Sequence, residues 1–113
     1  MPRYAARVQY KHDCLSADPA CAPATLCARC YQRELAIRRP QARALGQVWA
    51  EAICRGELRG REAWPTEDPK TLAIARRKVA QLTSDPRLLE LFAVACSEGA
   101  AAWWAGRPAK YRL

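Results

Sequence analysis

The sequence predicts a mainly α protein, with a small cysteine-rich N-terminal part followed by a bundle of about three to four helices. Three observations predict it. Apolar residues recur at helical spacing from Cys27 onward, Asp-Pro pairs at 68–69 and 85–86 mark helix starts, and four of the six cysteines crowd into positions 14–30.

Residues 1–13 contain "RYAARVQYKH", a loose alternation that suits a short strand or an extended arm. Residues 14–26 are broken by prolines and read as loop. At Cys27 the pattern turns helical, "CARCYQRELAIRR", with Tyr31 and Leu35 on a common side, and Pro40 ends that helix or opens the next. In "PQARALGQVWAEAICRGEL", Leu45, Val48, Trp49, Ala52 and Ile53 carry the spacing of a buried stripe, and Gly56 or Gly60 serves as C-terminal cap. "REAWPTEDP" is a loop. Asp68-Pro69 starts the next helix, with Leu72, Ala75, Val79 and Leu82 facing inward. Ser84-Asp85-Pro86 starts the last one, which runs to about Ala105. Leu88, Leu91, Phe92, Ala95, Gly99 and Trp103 mark one of its sides, and Leu89, Val94 and Cys96 make the others apolar, so it is expected to be central and mostly buried. The shared pattern T-x-D-P-[KR]-x-L reads as two helix starts solved the same way, not as a repeat. The tail "GRPAKYRL" is basic, proline-broken and expected to be exposed.

With 113 residues, half of them apolar, the chain can bury a core of its own. The expected organisation is a cysteine segment with its helix over 1–39 and a helical bundle over 40–113, packed as one unit. No apolar signal segment opens the sequence, and the most apolar run, "LLELFAVACSEGAAAWWAG", is interrupted by Glu90, Ser97, Glu98 and Gly99, so no membrane span is expected. The expectation is a reducing cytoplasm, where clustered thiols are metal ligands or catalytic groups more often than disulfides.

The net charge is +8, mostly from arginine, and residues 1–45 carry +5 of it (8 basic, 3 acidic). A basic surface favours polyanions, and the planar guanidinium donates two parallel hydrogen bonds to phosphate. A solvated surface accounts for the same charge without a partner.

The cysteine spacing is Cys14-x6-Cys21-x5-Cys27-x2-Cys30, with His12 two residues ahead. A C-x2-C pair at a helix start aims two sulfurs at one point, and the loop 14–26 can bring round the other two, giving the four tetrahedral ligands of structural zinc. An iron–sulfur cluster, a redox pair and disulfides are the alternatives; the first also uses four thiolates. "LCARCYQREL" after an upstream cysteine pair resembles the second half of treble-clef zinc fingers, especially the short bacterial and phage type C-x(n)-C-x(n)-LC-x2-[HC]-Y-x-R, over about residues 12–39. The resemblance implies that Cys27 and Cys30 are the helix-borne zinc ligands, that Tyr31 packs under the site, and that Arg33 points outward as a basic contact. This chain differs in having cysteine at 30 where many relatives have histidine, and in its wide first gap, which leaves His12 as an alternative to Cys14 or Cys21. Cys54 and Cys96 read as small buried apolar residues.

Arg29, Arg33, Arg38, Arg39 and Arg43 fall within 15 residues, and Arg76, Arg77 and Lys78 form a second basic set. Both are candidate phosphate contacts. Trp49 and Trp103 fall on core stripes, while Trp64 and Trp104 are less determined. His12 is the only histidine, no glycine-rich phosphate loop occurs and the carboxylates are scattered, so no enzyme and no small-molecule substrate are expected. The expected function is a small basic zinc protein binding nucleic acid, as an accessory regulator or nucleoprotein subunit. The alternative is a protein-interaction adaptor with a purely structural zinc site, docking through a surface such as that around Ile74 and Trp104.

Overall fold

The computed structural model describes residues 14–54, 64–66 and 68–109. Three helices dominate: α1 (Ala28–Cys54), α2 (Pro69–Val79) and α3 (Pro86–Ala105), with a short 3-10 turn over Ala80–Leu82 after α2. The loop before α1 contains a single isolated bridge between Ala22 and Thr25, and no strand forms among the described residues. His12 and the suggested arm over 1–13 lie outside the described residues, as do Gly56 and Gly60.

Both Asp-Pro helix starts form as their sequence suggests. The Asp68 carboxylate accepts from the Thr71 amide at 3.1 Å, Asp85 accepts from the Arg87 amide at 2.9 Å, and proline follows each cap, where its missing N–H costs nothing. Pro40 behaves differently from expectation. It neither ends nor begins a helix but sits inside α1. An interior proline removes one backbone donor and typically costs about 3 kcal/mol. α1 continues through it because tertiary contacts hold the helix on both sides: the backbone just before its first turn is fixed by Asp85 and Arg87, and its second half lies directly on α3. Packing, more than propensity, decides helix continuity here.

α1 and α3 run in the same direction, with Leu26 beside Asp85 at one end and Arg43 beside Gly99 further along. They touch through backbone. A methyl group added at Gly46 would lie 1.8 Å from the Cys96 carbonyl oxygen, and one added at Gly99 2.2 Å from that of Arg43. This contact rotates α1 away from the expected stripe. Ala42, Gly46, Trp49, Ala50 and Cys54 are buried, whereas Val48 is 67% exposed, Ala52 is exposed, and Leu45 and Ile53 are half-buried. Small side chains win the interface because they let two backbones meet.

α3 is central, as expected, with Leu88, Phe92, Ala95, Cys96 and Gly99 among its buried residues, but Leu91 and Val94 face outward. Trp104, not Trp103, is fully buried. Trp64 reaches in from the loop before α2 and joins Trp49, edge-on at 4.7 Å between centroids, to Trp104, tilted at 5.6 Å. The Ser97 hydroxyl donates to the Thr66 carbonyl at 3.0 Å and fixes that loop. α2 packs chiefly on α3 through Ala75 and Val79. Leu72 and Leu82 are half-buried, and Thr71 takes a buried place instead. By length and composition α3 is long and apolar enough to cross a bilayer, contrary to the sequence expectation, but half of that stretch is buried inside the fold, as a core helix requires. The tail also departs from expectation at Arg107, which is buried, with its guanidinium 4.8 Å from the Trp104 ring and donating to the Trp104 carbonyl at 2.6 Å.

Glycine to alanine in a helix ordinarily gains about 1 kcal/mol. At Gly46 the added carbon must instead push two backbones apart, so Gly46→Ala is expected to lower unfolding stability by about 3 kcal/mol, at the upper end of overpacking costs. Urea titration followed by tryptophan fluorescence checks this; a variant as stable as the parent would refute the backbone contact.

Candidate metal centre and the arginine-bearing helix

The loop before α1 folds back so that Cys14, Cys21, Cys27 and Cys30 bring their sulfurs within 4.8 Å of one another. Cys14 Sγ and Cys27 Sγ are 3.7 Å apart, and no disulfide joins any of the four. A single first-row metal bound tetrahedrally at about 2.3 Å needs sulfurs about 3.8 Å apart, so the donor set fits one such ion. A multi-iron cluster divides four thiolates among two or four irons and so spreads the set wider than a single ion does.

Backbone amides shape the cage. Ala17 adopts the left-handed region at φ 52°, which turns the chain so that the Asp18 amide points at Cys14 Sγ, 3.4 Å away. The Leu15 amide donates to Cys30 Sγ at 3.3 Å and the Cys27 amide to Cys21 Sγ at 3.2 Å. A tight turn over Ala22–Thr25, with the Thr25 amide donating to the Ala22 carbonyl at 2.9 Å, returns the chain to α1. Cys27 stands at the head of α1, its carbonyl accepting from the Tyr31 amide at 2.8 Å, and Cys30 lies in the first turn. The Cys30 amide, above all, draws the Cys27 thiol down to about 6, while desolvation pushes Cys21 up to about 12. Four adjacent thiolates repel one another, and a cation is what lets all of them ionise together.

One carboxylate fastens this cage to the helices. Asp85, fully buried, accepts from the Leu26 amide at 3.1 Å, and Arg87 donates to it through Nη2 at 2.6 Å and Nε at 3.1 Å. Arg87 Nη2 also donates to the Leu26 carbonyl at 2.8 Å, and its guanidinium lies 4.8 Å from the centre of the Tyr31 ring. Both polar atoms of the residue before Cys27 are therefore held by the head of α3. Sequence reasoning recognised Asp85 only as a cap; that its second oxygen would reach back 59 residues had no local signal.

The eight candidate basic contacts are not brought to one surface. Arg29 is exposed and donates to the Leu15 carbonyl at 3.3 Å, over the cysteine loop. Arg33 and Arg38 flank Glu34, with Nε–carboxylate distances of 3.7 and 3.5 Å, and line a cleft against residues 80–84. Arg39 and Arg43 border a different recess with Gln32 and Leu35, and Arg43 also faces Glu98 at 3.5 Å. On α2, Arg76 is gripped by both oxygens of Glu90 at 2.7 and 3.0 Å, Arg77 is exposed, and Lys78 Nζ lies 5.3 Å from the centre of the Trp49 ring. Ile74 is half-buried and Trp104 inaccessible, so the docking surface expected around that pair does not exist; Trp104 serves the core because it closes the tryptophan cluster.

Comparison with protein-family models, curated proteins and solved structures finds no match. The reading of the site rests on its chemistry.

The Arg87 guanidinium holds the Asp85 carboxyl at about 2, below its ordinary 3.8. A depressed carboxyl contributes stability above about pH 4 and loses it as pH falls toward 2; the shift corresponds to about 2 kcal/mol. Asp85→Asn is thus expected to unfold at lower urea near neutrality by about that amount, and the gap to the parent should close between pH 4 and 2. A gap unchanged by acid would refute the charged clamp. Protons compete with a cation for the same sulfurs, so a metal bound there is expected to be released progressively on acidification, measurable with a colorimetric chelator.

Proposed function

We propose that the chain is a small zinc-binding protein that binds nucleic acid, as an accessory regulator or a subunit of a nucleoprotein assembly. The observation that carries this reading is the continuity of α1. The helix whose first turn supplies Cys30 is the same rigid element that bears Arg29, Arg33, Arg38, Arg39 and Arg43. Zinc is the ion favoured by a compact four-sulfur set with no open position, in a site whose task is to order a loop. Its binding energy, about 10–16 kcal/mol for small fingers, is of the size needed to offset the ordering of a loop such as residues 14–26. A closed tetrahedron offers no place for a substrate, which also argues against catalysis and fits a role in a reducing cytoplasm.

Ion pairs at exposed sites are worth about 0–1 kcal/mol, so the single 3.5 Å contact to Glu98 does not withdraw Arg43 from a phosphate partner, whereas Glu90 grips Arg76 through two hydrogen bonds and competes with one. A protein-interaction adaptor is the second reading, favoured by Ile37 and Val48, both exposed on the outside of α1.

Native mass spectrometry under reducing conditions is expected to find one zinc per chain, lost on Cys27→Ser or Cys30→Ser; a folded, metal-free protein would refute the site. Fluorescence anisotropy across a salt series tests the partner. Affinity should fall steeply with salt, with a slope reduced by about one by Arg39→Ala and by less in Arg76→Ala, whose guanidinium Glu90 already holds. A shallow slope would point to an apolar protein interface.

A further inference from the structure

The cleft between the start of α1 and the 3-10 turn has features that a general basic surface lacks. It encloses about 310 Å³ and is lined by Leu26, Arg33, Glu34 and Arg38 on one side and by residues 80–84, including Thr83 and Ser84, on the other. Its two guanidiniums share one carboxylate, and the shared contacts are long, 3.7 and 3.5 Å. Arg76, with a carboxylate to itself, closes to 2.7 Å. Arg38 Nη1 donates to Gln41 at 3.2 Å, but its Nε is shut off from solvent and has no hydrogen-bond acceptor. Asp85, next to Ser84, adds no free charge because Arg87 and the Leu26 amide occupy it. The lining is left with two positive charges, one negative charge, an unsatisfied donor, and two hydroxyls opposite.

We propose that this cleft takes one phosphate group of an unpaired nucleotide, with Glu34 standing in for that phosphate until it arrives. The inference rests on the nucleic-acid reading above and narrows it. Phosphate oxygens in place of the Glu34 carboxylate reach both guanidiniums and satisfy them more fully than a single, poorly placed carboxylate does. The Thr83 oxygen accepts from the Asp85 amide at 3.0 Å, which leaves its proton free to be donated into the cleft. Leu26 and Pro23 give an apolar edge for the attached sugar or base. At about 310 Å³ the recess holds one nucleotide, and a base laid against Leu26 and Pro23 has to be out of a duplex stack, so the site favours single strands.

Glu34→Gln separates this site from diffuse electrostatics, because it adds the same charge to the protein as Glu98→Gln, which lies away from the cleft beside Arg43. Anisotropy with short labelled single strands and duplexes, both DNA and RNA, at one moderate salt concentration is the experiment, with thermal melting to show that each variant folds. Glu34→Gln is expected to tighten single-strand binding about fivefold, a change of about 1 kcal/mol. Glu98→Gln should shift it less than twofold, Arg38→Gln should abolish the gain of Glu34→Gln, and Glu34→Gln should shift duplex binding no more than Glu98→Gln does. Equal effects of Glu34→Gln and Glu98→Gln, or an equal gain for duplex, would overturn the cleft while leaving nucleic-acid binding intact. Absence of binding to any strand at low salt would overturn both readings.

Discussion

The architecture depends on the Asp85 carboxylate. A fully buried charge is costly unless every oxygen is satisfied, and here four donors converge on it: two backbone amides and two nitrogens of Arg87. The arrangement does three things with one side chain. It caps α3, it seats Arg87 against Tyr31, and it fixes Leu26, the residue from which Cys27 and α1 depart. The cysteine loop has almost no apolar core of its own, with Leu26 its one buried apolar side chain before α1. Its position relative to the helices is therefore set by this polar clamp and by whatever the four sulfurs hold.

The opposite constraint acts further along. Where Asp85 joins polar groups, Gly46 and Gly99 join bare backbone, and the two contacts together define how α1 lies on α3. A helix held at its head and again past its middle cannot bend freely at Pro40, which accounts for an unbroken element through a residue that ordinarily ends one. The tryptophan cluster then closes the far end, with the loop at Trp64 inserted between α1 and α3.

Much of this was legible in the sequence. The Asp-Pro caps announced α2 and α3 because capping is local chemistry, and the C-x2-C pair at a helix start with two cysteines upstream pointed to the four-sulfur cluster that forms. Cys54 and Cys96 are buried as small apolar residues should be. What was not legible depends on contacts between distant segments. The search for large apolar residues chose Val48 and Leu45 for the core, whereas a close helix crossing rewards Ala42, Gly46 and Ala50, a small-residue series that hydrophobicity ranks low. The choice between Trp103 and Trp104 turned on about 100° of helix rotation, finer than periodicity resolves in a helix apolar on several sides. Arginine positions were plain, but most of their carboxylate partners were not: Glu34 and Arg38, four apart on one helix, pair by a local rule, whereas Arg43 with Glu98 and Arg76 with Glu90 pair between helices.

The basic groups along α1 are anchored to different parts of the fold. Arg29 rests on the cysteine loop through the Leu15 carbonyl, and Leu15 in turn donates its amide to Cys30 Sγ, so this arginine is placed by the thiol cage. Arg43 sits where α1 meets Gly99, so it is placed by the helix crossing instead. Arg33 and Arg38 lie between, on a cleft whose edge at Leu26 belongs to the clamp and whose far wall follows α2. A rearrangement of the four cysteines therefore acts on the basic groups unequally: strongly at Arg29, through Leu26 at the cleft, and hardly at Arg43. That gradient follows from one continuous helix anchored at different points by chemically different contacts.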